Sequence, residues 1–115
     1  MTPASSPNHV TLVGTLTADA GFYVTRTGRP KVTFRMAVAR GTADRSADFF
    51  TIVCLSQRFV SLASVLVKGT LVTVTGRLQS RDVPGGRTVT EVRAEAVIIG
   101  HYSSPRTESE PGEDD

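Results

Sequence analysis

A chain of 115 residues with 39% hydrophobic and 21% charged side chains has material for one modest core and no second domain. No apolar run nears the ~20 residues of a membrane span, the opening MTPASSPNH lacks the basic and apolar stretches of a signal peptide, and a lone Cys54 excludes an intrachain disulfide, so a cytoplasmic protein is expected. The net charge of +2 hides an asymmetry: TESEPGEDD at 107–115 holds five acids and no base, leaving 13 basic against 6 acidic side chains in the other 106 residues.

Residues 1–7, rich in Pro, Ser and Ala, read as a flexible N-terminal arm, and the folded domain is expected over 8–101. From Val10 the chain alternates with the period of a strand: Val10, Leu12, Gly14 and Leu16 on one side, Thr11, Val13 and Thr15 on the other. TRTGRPK at 25–31 reads as a hairpin connection, with Gly28 and Pro30 setting the turn. A second strand follows, in which Val32, Phe34, Met36 and Val38 alternate with Lys31, Thr33 and Arg35. After the polar loop 40–47, DFFTIVCL at 48–55 is apolar on both sides. Phe50, Ile52 and Cys54 can enter the core, which makes Cys54 a buried structural thiol; Phe49, Val53 and Leu55 then need a ligand or a second subunit to cover them.

The spacing of Phe59, Leu62, Ala63 and Leu66 predicts a short helix over roughly 57–67, with Ser56 as N-cap and Gly69 ending it. A fourth strand alternates Val72, Val74, Gly76 and Leu78 with Thr73, Thr75, Arg77, Gln79 and Arg81. VPGGR at 83–87 is a turn, and a fifth strand puts Val92, Ala94, Ala96 and Ile98 on one face and Glu91, Arg93 and Glu95 on the other. Residues 102–115 read as a disordered acidic tail. Five strands with one short helix between the third and fourth is the arrangement of an all-β OB-fold, a five-stranded Greek-key barrel. Gly14 in VGTL and Gly76 in TGRL stand where the alternation calls for an inward side chain, so each marks a sharp bend at a barrel corner.

Chemistry of the catalytic kind finds no constellation. His9 and His101 lie at opposite ends of the folded segment, no phosphate-cradling glycine loop is present, and Glu91 and Glu95 flank Arg93 as a solvated, charge-paired strand face. No enzyme activity, cofactor or metal is expected. Binding has the better case. Eleven of the 13 bases are arginine, and Arg26, Arg29, Lys31, Arg35, Arg77, Arg81 and Arg87 fall on outer faces or hairpin loops, where they can track a phosphate backbone. Phe49 lies among them as a ring for base stacking; Phe22 and Tyr23 either add to that surface or close the barrel base.

NHVTLVGTLTAD (8–19), TGRPKVTFRMAVAR (27–40), KGTLVTVTGRLQSR (68–81) and TEVRAEAV (90–97), in that order, resemble the bacterial single-stranded DNA-binding protein family, SSB. The resemblance implies an OB-fold, a homotetramer, sequence-tolerant binding of single-stranded DNA in replication, recombination or repair, a nucleoid-associated location and no catalysis. By position it puts Asn8, His9 and Val10 at the oligomer interface, Phe49 where a stacking tryptophan is common, Leu55 where a stacking phenylalanine is common, and Val83 at a further tryptophan position. The chain departs from the pattern in having no tryptophan, a short 40–47 loop and no Ile-Pro-Phe after its acidic run, which leaves recruitment of replication and repair proteins open. The alternative is an OB-fold protein–protein adaptor in replication restart that binds DNA weakly.

Overall fold

The computed structural model describes residues 7–41, 43 and 45–100; apart from Pro7, the expected N-terminal arm and acidic tail lie outside them, as does His101. Six strands form a single sheet: β1 (Val10–Leu16), β2 (Gly21–Val24), β3 (Pro30–Ala39), β4 (Ala47–Cys54), β5 (Leu71–Val83) and β6 (Arg87–Ile99). Their order is β1-β5-β6-β4-β3-β2, and β1 also pairs with β3, so five strands close into the expected OB barrel. All pairings are antiparallel except β4 with β6. Two closures are short: Thr15 with Ala37 and Leu16 with Met36 join β1 to β3, while Ile52 with Val92 and Val53 with Arg93 join β4 to β6.

The sixth strand, β2, was not among the five expected. It takes the same edge of β3 that β1 uses, further along, pairing Gly21 with Thr33 and Tyr23 with Lys31. GFYV is too short for alternation to register, and tertiary pairing decides it.

Alternation over β1, β3 and the first half of β5 fills the barrel. Leu16, Val32, Phe34, Met36, Ile52, Cys54, Val72, Val74 and Val92 are buried together, with Phe59 and Leu66 from the β4–β5 connection plugging them. That connection is not the α-helix expected over 57–67. It is a 3-10 helix, Gln57–Leu62, started by Ser56, whose hydroxyl accepts from the Arg58 amide at 3.4 Å. Val60, Val65 and Val67 disfavour a longer helix, and the chain instead turns through Gly69 at φ +89° to seat Leu66.

Gly14 and Gly76 mark close approaches of backbone to backbone. A Cβ at Gly14 would lie 2.1 Å from the Ala37 carbonyl oxygen, and one at Gly76 would lie 2.2 Å from that of Arg93. The first stands where β1 leaves β5 for β3, the second beside a β-bulge: Thr75 pairs with Ala96 and Gly76 with Ala94, so Glu95 is the extra residue. The bulge inverts the phase of β6. Ala96 and Ile98, expected inside, are exposed, and Val97 packs on the core instead. Leu78 is also exposed, although its cross-strand partner Val92 is buried.

Candidate nucleic-acid interface

One row crosses four strands on the outer side of the barrel: Thr33 pairs with Val53, Val53 with Arg93, and Arg93 with Arg77. Two residues along the strands, Arg35 pairs with Thr51, and Glu91 with Gln79. Two further, Ala37 pairs with Phe49, and Arg81 with Val89. Period-two geometry therefore delivers Arg35, Arg77, Arg81, Arg93 and Phe49 to one surface.

Phe49 is 51% exposed, and the Arg35 guanidinium lies 4.9 Å from its ring centre. That is cation–π range. The contact orients the ring while leaving it open to a planar partner. Beside it a cleft of about 540 Å³ runs between the β2–β3 hairpin and β5–β6, lined by Tyr23, Arg26, Lys31, Thr33, Arg81 and Glu91, among others. Tyr23 stands 54% exposed at this cleft; Phe22, paired with Val32, points to the opposite side of its strand.

Glu91 differs from its expected role as a solvated acid. It is 8% exposed and receives both Arg81 Nε, 3.1 Å from each carboxylate oxygen, and Arg81 Nη2 at 3.0 Å. Alternation identified the face but not the partner, because the pairing is diagonal across β5 and β6 and not with the sequence neighbour Arg93. The hydrogen bonds that Arg81 donates to Glu91, and then the carboxylate's charge, push the Arg81 ionisation upward, so Arg81 stays a fixed cation.

A second cleft, about 230 Å³, opens where β4 runs into the 3-10 helix, and Arg29, Leu55 and Arg77 line it. Arg29 Nε donates to the Leu55 carbonyl at 3.1 Å. The expected residues thus fall into three groups: Arg26, Lys31 and Arg81 at the larger cleft, Arg29, Leu55 and Arg77 at the smaller, and Phe49 with Arg35 as a pair. Arg87 stands apart, at the start of β6 opposite Val83. Arg58 and Arg93, which line the smaller cleft, were not singled out. Arg93 follows from strand alternation alone; Arg58 follows from nothing local, since its placement depends on the turn of the 3-10 helix.

Asn8 is occupied within the chain. Its amide donates to the Leu78 carbonyl at 3.0 Å and accepts from the Leu78 amide at 2.9 Å, extending the β1–β5 ladder by one side chain. His9 is exposed, its Nε2 lying 3.4 Å from Thr11 Oγ1, and Val10 is half-buried at the start of β1. On the outer side of β1–β5–β6, Val13 and Ile98 are exposed, and Thr73 between them is buried with its hydroxyl unpaired. No helix among the described residues is long and apolar enough to cross a membrane.

A model of the Single-strand binding protein family matches residues 7–99. A single-stranded DNA-binding protein of Streptococcus mutans is 41% identical over 79 residues, covering 65% of this chain and 48% of its own length. Single-stranded DNA-binding protein 1 of Streptococcus agalactiae is 40% identical over 112 residues, covering 90% of this chain and 69% of its own. The chain therefore spans from about half to about two thirds of the length of these two relatives. In fold it is similar to a Plasmodium falciparum SSB solved in complex with ssDNA, at TM-score 0.73 and 24% identity, over 88% of this chain and 100% of that one.

Proposed function

The chain belongs to the Single-strand binding protein family, and from that premise we propose that it binds single-stranded DNA across the β3–β4–β6–β5 face, with no preference for sequence. The half-exposed Phe49 ring under Arg35 carries this reading. An aromatic face beside guanidinium groups stacks a base and neutralises the adjoining phosphate at once, and neither contact depends on which base is present. With no tryptophan in the chain, stacking rests on Phe49 and Tyr23, and arginine–phosphate contacts supply a larger share of affinity than in a tryptophan-rich groove. Binding is then strongly salt-dependent, by roughly 0.7 log unit per log unit of salt for each phosphate neutralised.

The protein acts as a homo-oligomer, a tetramer on the resemblance of its strands to the family. The exposed Val13 and Ile98 around the unpaired Thr73 hydroxyl support an apolar subunit contact on β1–β5–β6. With Asn8 held by Leu78, the β1 contribution to it comes from His9 and Val10.

The test is fluorescence anisotropy of labelled oligo-dT at several salt concentrations, with Phe49→Ala beside wild type. Loss of one stacked base costs about 1–3 kcal/mol, or roughly 5- to 150-fold in Kd. Equal affinity of the two proteins would remove Phe49 from the DNA path. Absence of saturable binding by the wild type would turn the reading toward the adaptor.

A further inference from the structure

The smaller cleft holds more positive charge than the fold requires. Arg29, Arg58, Arg77 and Arg93 line it, and Glu95 is the one acid beside them. The ion pairs among the described residues are Arg40 with Asp48 and Arg81 with Glu91, so none of these four guanidinium groups is neutralised by a carboxylate. Two of them are opposed: Arg77 and Arg93 are direct cross-strand partners on one face of the sheet, where like charges repel and destabilise the pair.

Three of the four are nevertheless held in place by neutral acceptors. Arg29 donates to the Leu55 carbonyl, Arg58 to the carbonyl of the bulge residue Glu95, and Arg93 Nη1 to Gln79 Oε1 at 3.1 Å. Arg58 also lies 5.0 Å from the Phe59 ring centre. Such contacts orient a guanidinium without discharging it and leave its remaining N–H donors free. Pre-oriented, uncompensated forks around a small hollow are the arrangement that recognises a phosphate group.

We propose that this cleft is a phosphate site, distinct from the Phe49–Arg35 pair and reached from it along the outer side of β4 past Val53 and Leu55. Its phosphate is either a backbone phosphodiester of a strand lying on that track or the monoester at a strand end. The inference rests on the reading that the chain binds single-stranded DNA; it adds Arg58 and Arg93 to the binding residues and gives the bulge at Glu95 a role in building the cleft.

The experiment measures oligo-dT affinity against salt for wild type, Arg77→Gln/Arg93→Gln, Arg58→Gln and the control Arg40→Gln, using oligonucleotides with a 5′-phosphate, a 3′-phosphate or neither. Removing the opposed pair relieves repulsion, so the double variant is expected to melt no lower than wild type, and Arg58→Gln leaves the sheet intact. A backbone phosphate in the cleft flattens the double variant's salt slope by about 0.7 for every oligonucleotide. A strand-end phosphate instead gives wild type a severalfold preference for one phosphorylated end, which both cleft variants lose. Either outcome supports the site. Salt slopes and end preferences equal to those of wild type and Arg40→Gln overturn it, provided Phe49→Ala still weakens binding. A wild type that does not bind oligo-dT refutes the parent reading itself.

Discussion

Adding a single methyl group at Gly76 is expected to cost more stability than removing most side chains from the barrel's surface. The new Cβ would lie 2.2 Å from the Arg93 carbonyl oxygen and 3.0 Å from the Ala94 Cα, where ordinary contact begins at 3.4 Å. Both obstacles are backbone, so no side chain can swing aside. β6 must retreat by about 1 Å at the bulge, where its pairing with β5 is already interrupted. Overpacking of this kind costs about 1–3 kcal/mol, and a lost ladder hydrogen bond adds about 1 kcal/mol. We expect Gly76→Ala to lose about 3 kcal/mol, which for a domain of this size lowers Tm by roughly 12–24 °C. Circular dichroism melts at matched protein concentration measure it, because assembly makes Tm depend on concentration. Gly41→Ala, with nothing within 4 Å of the added Cβ, is the control and should melt within a few degrees of wild type. If Gly76→Ala melts as Gly41→Ala does, the glycine is not what permits the close approach.

Glu91→Gln should raise affinity for oligo-dT at low salt and steepen the salt slope by about 0.7, because Arg81 is freed to meet a phosphate; an unchanged slope would take Arg81 off the DNA path. Cys54 should resist alkylation at pH 8 until the chain unfolds, since burial pushes its thiol from 9.0 up to about 12; rapid labelling of the native protein would contradict that burial. The same shift has a sign in stability. The unfolded thiol ionises above pH 9 while the folded one stays protonated, so its contribution is intact below pH 9 and falls as pH rises toward 12. Between pH 7 and pH 10, wild type should lose on the order of 1 kcal/mol more than Cys54→Ala in urea unfolding.

The barrel was legible in the sequence wherever one strand kept one phase. Val32, Phe34 and Met36, and Val72 and Val74, alternate without interruption and are all buried. Legibility failed where phase, period or partner is a tertiary property. Glu95 inserts a residue that no local signal announces, and everything beyond it on β6 changes sides. The apolar spacing from Phe59 to Leu66 suits a helix, yet a 3-10 stretch followed by a turn buries the same two residues. On the face proposed for DNA, alternation brought Arg35, Arg77, Arg81 and Phe49 to one surface. It was silent on Arg81 reaching diagonally to Glu91 and on Arg58 arriving from the plug.

The two short closures of the barrel have a dynamic consequence. β5 and β6 are neighbours in sequence and pair along their whole length, whereas Ile52 and Val53 on β4 must find Val92 and Arg93 on β6 across a long stretch of chain. Such a seam forms late and opens first, because its loop entropy is recovered by few hydrogen bonds. DNA lying from Phe49 on β4 toward Arg93 and Arg77 on β6 and β5 would bridge that seam from outside. Strand binding and local opening would then draw on one shared free energy. Opening of the seam then weakens DNA binding, and bound DNA disfavours opening by the same factor.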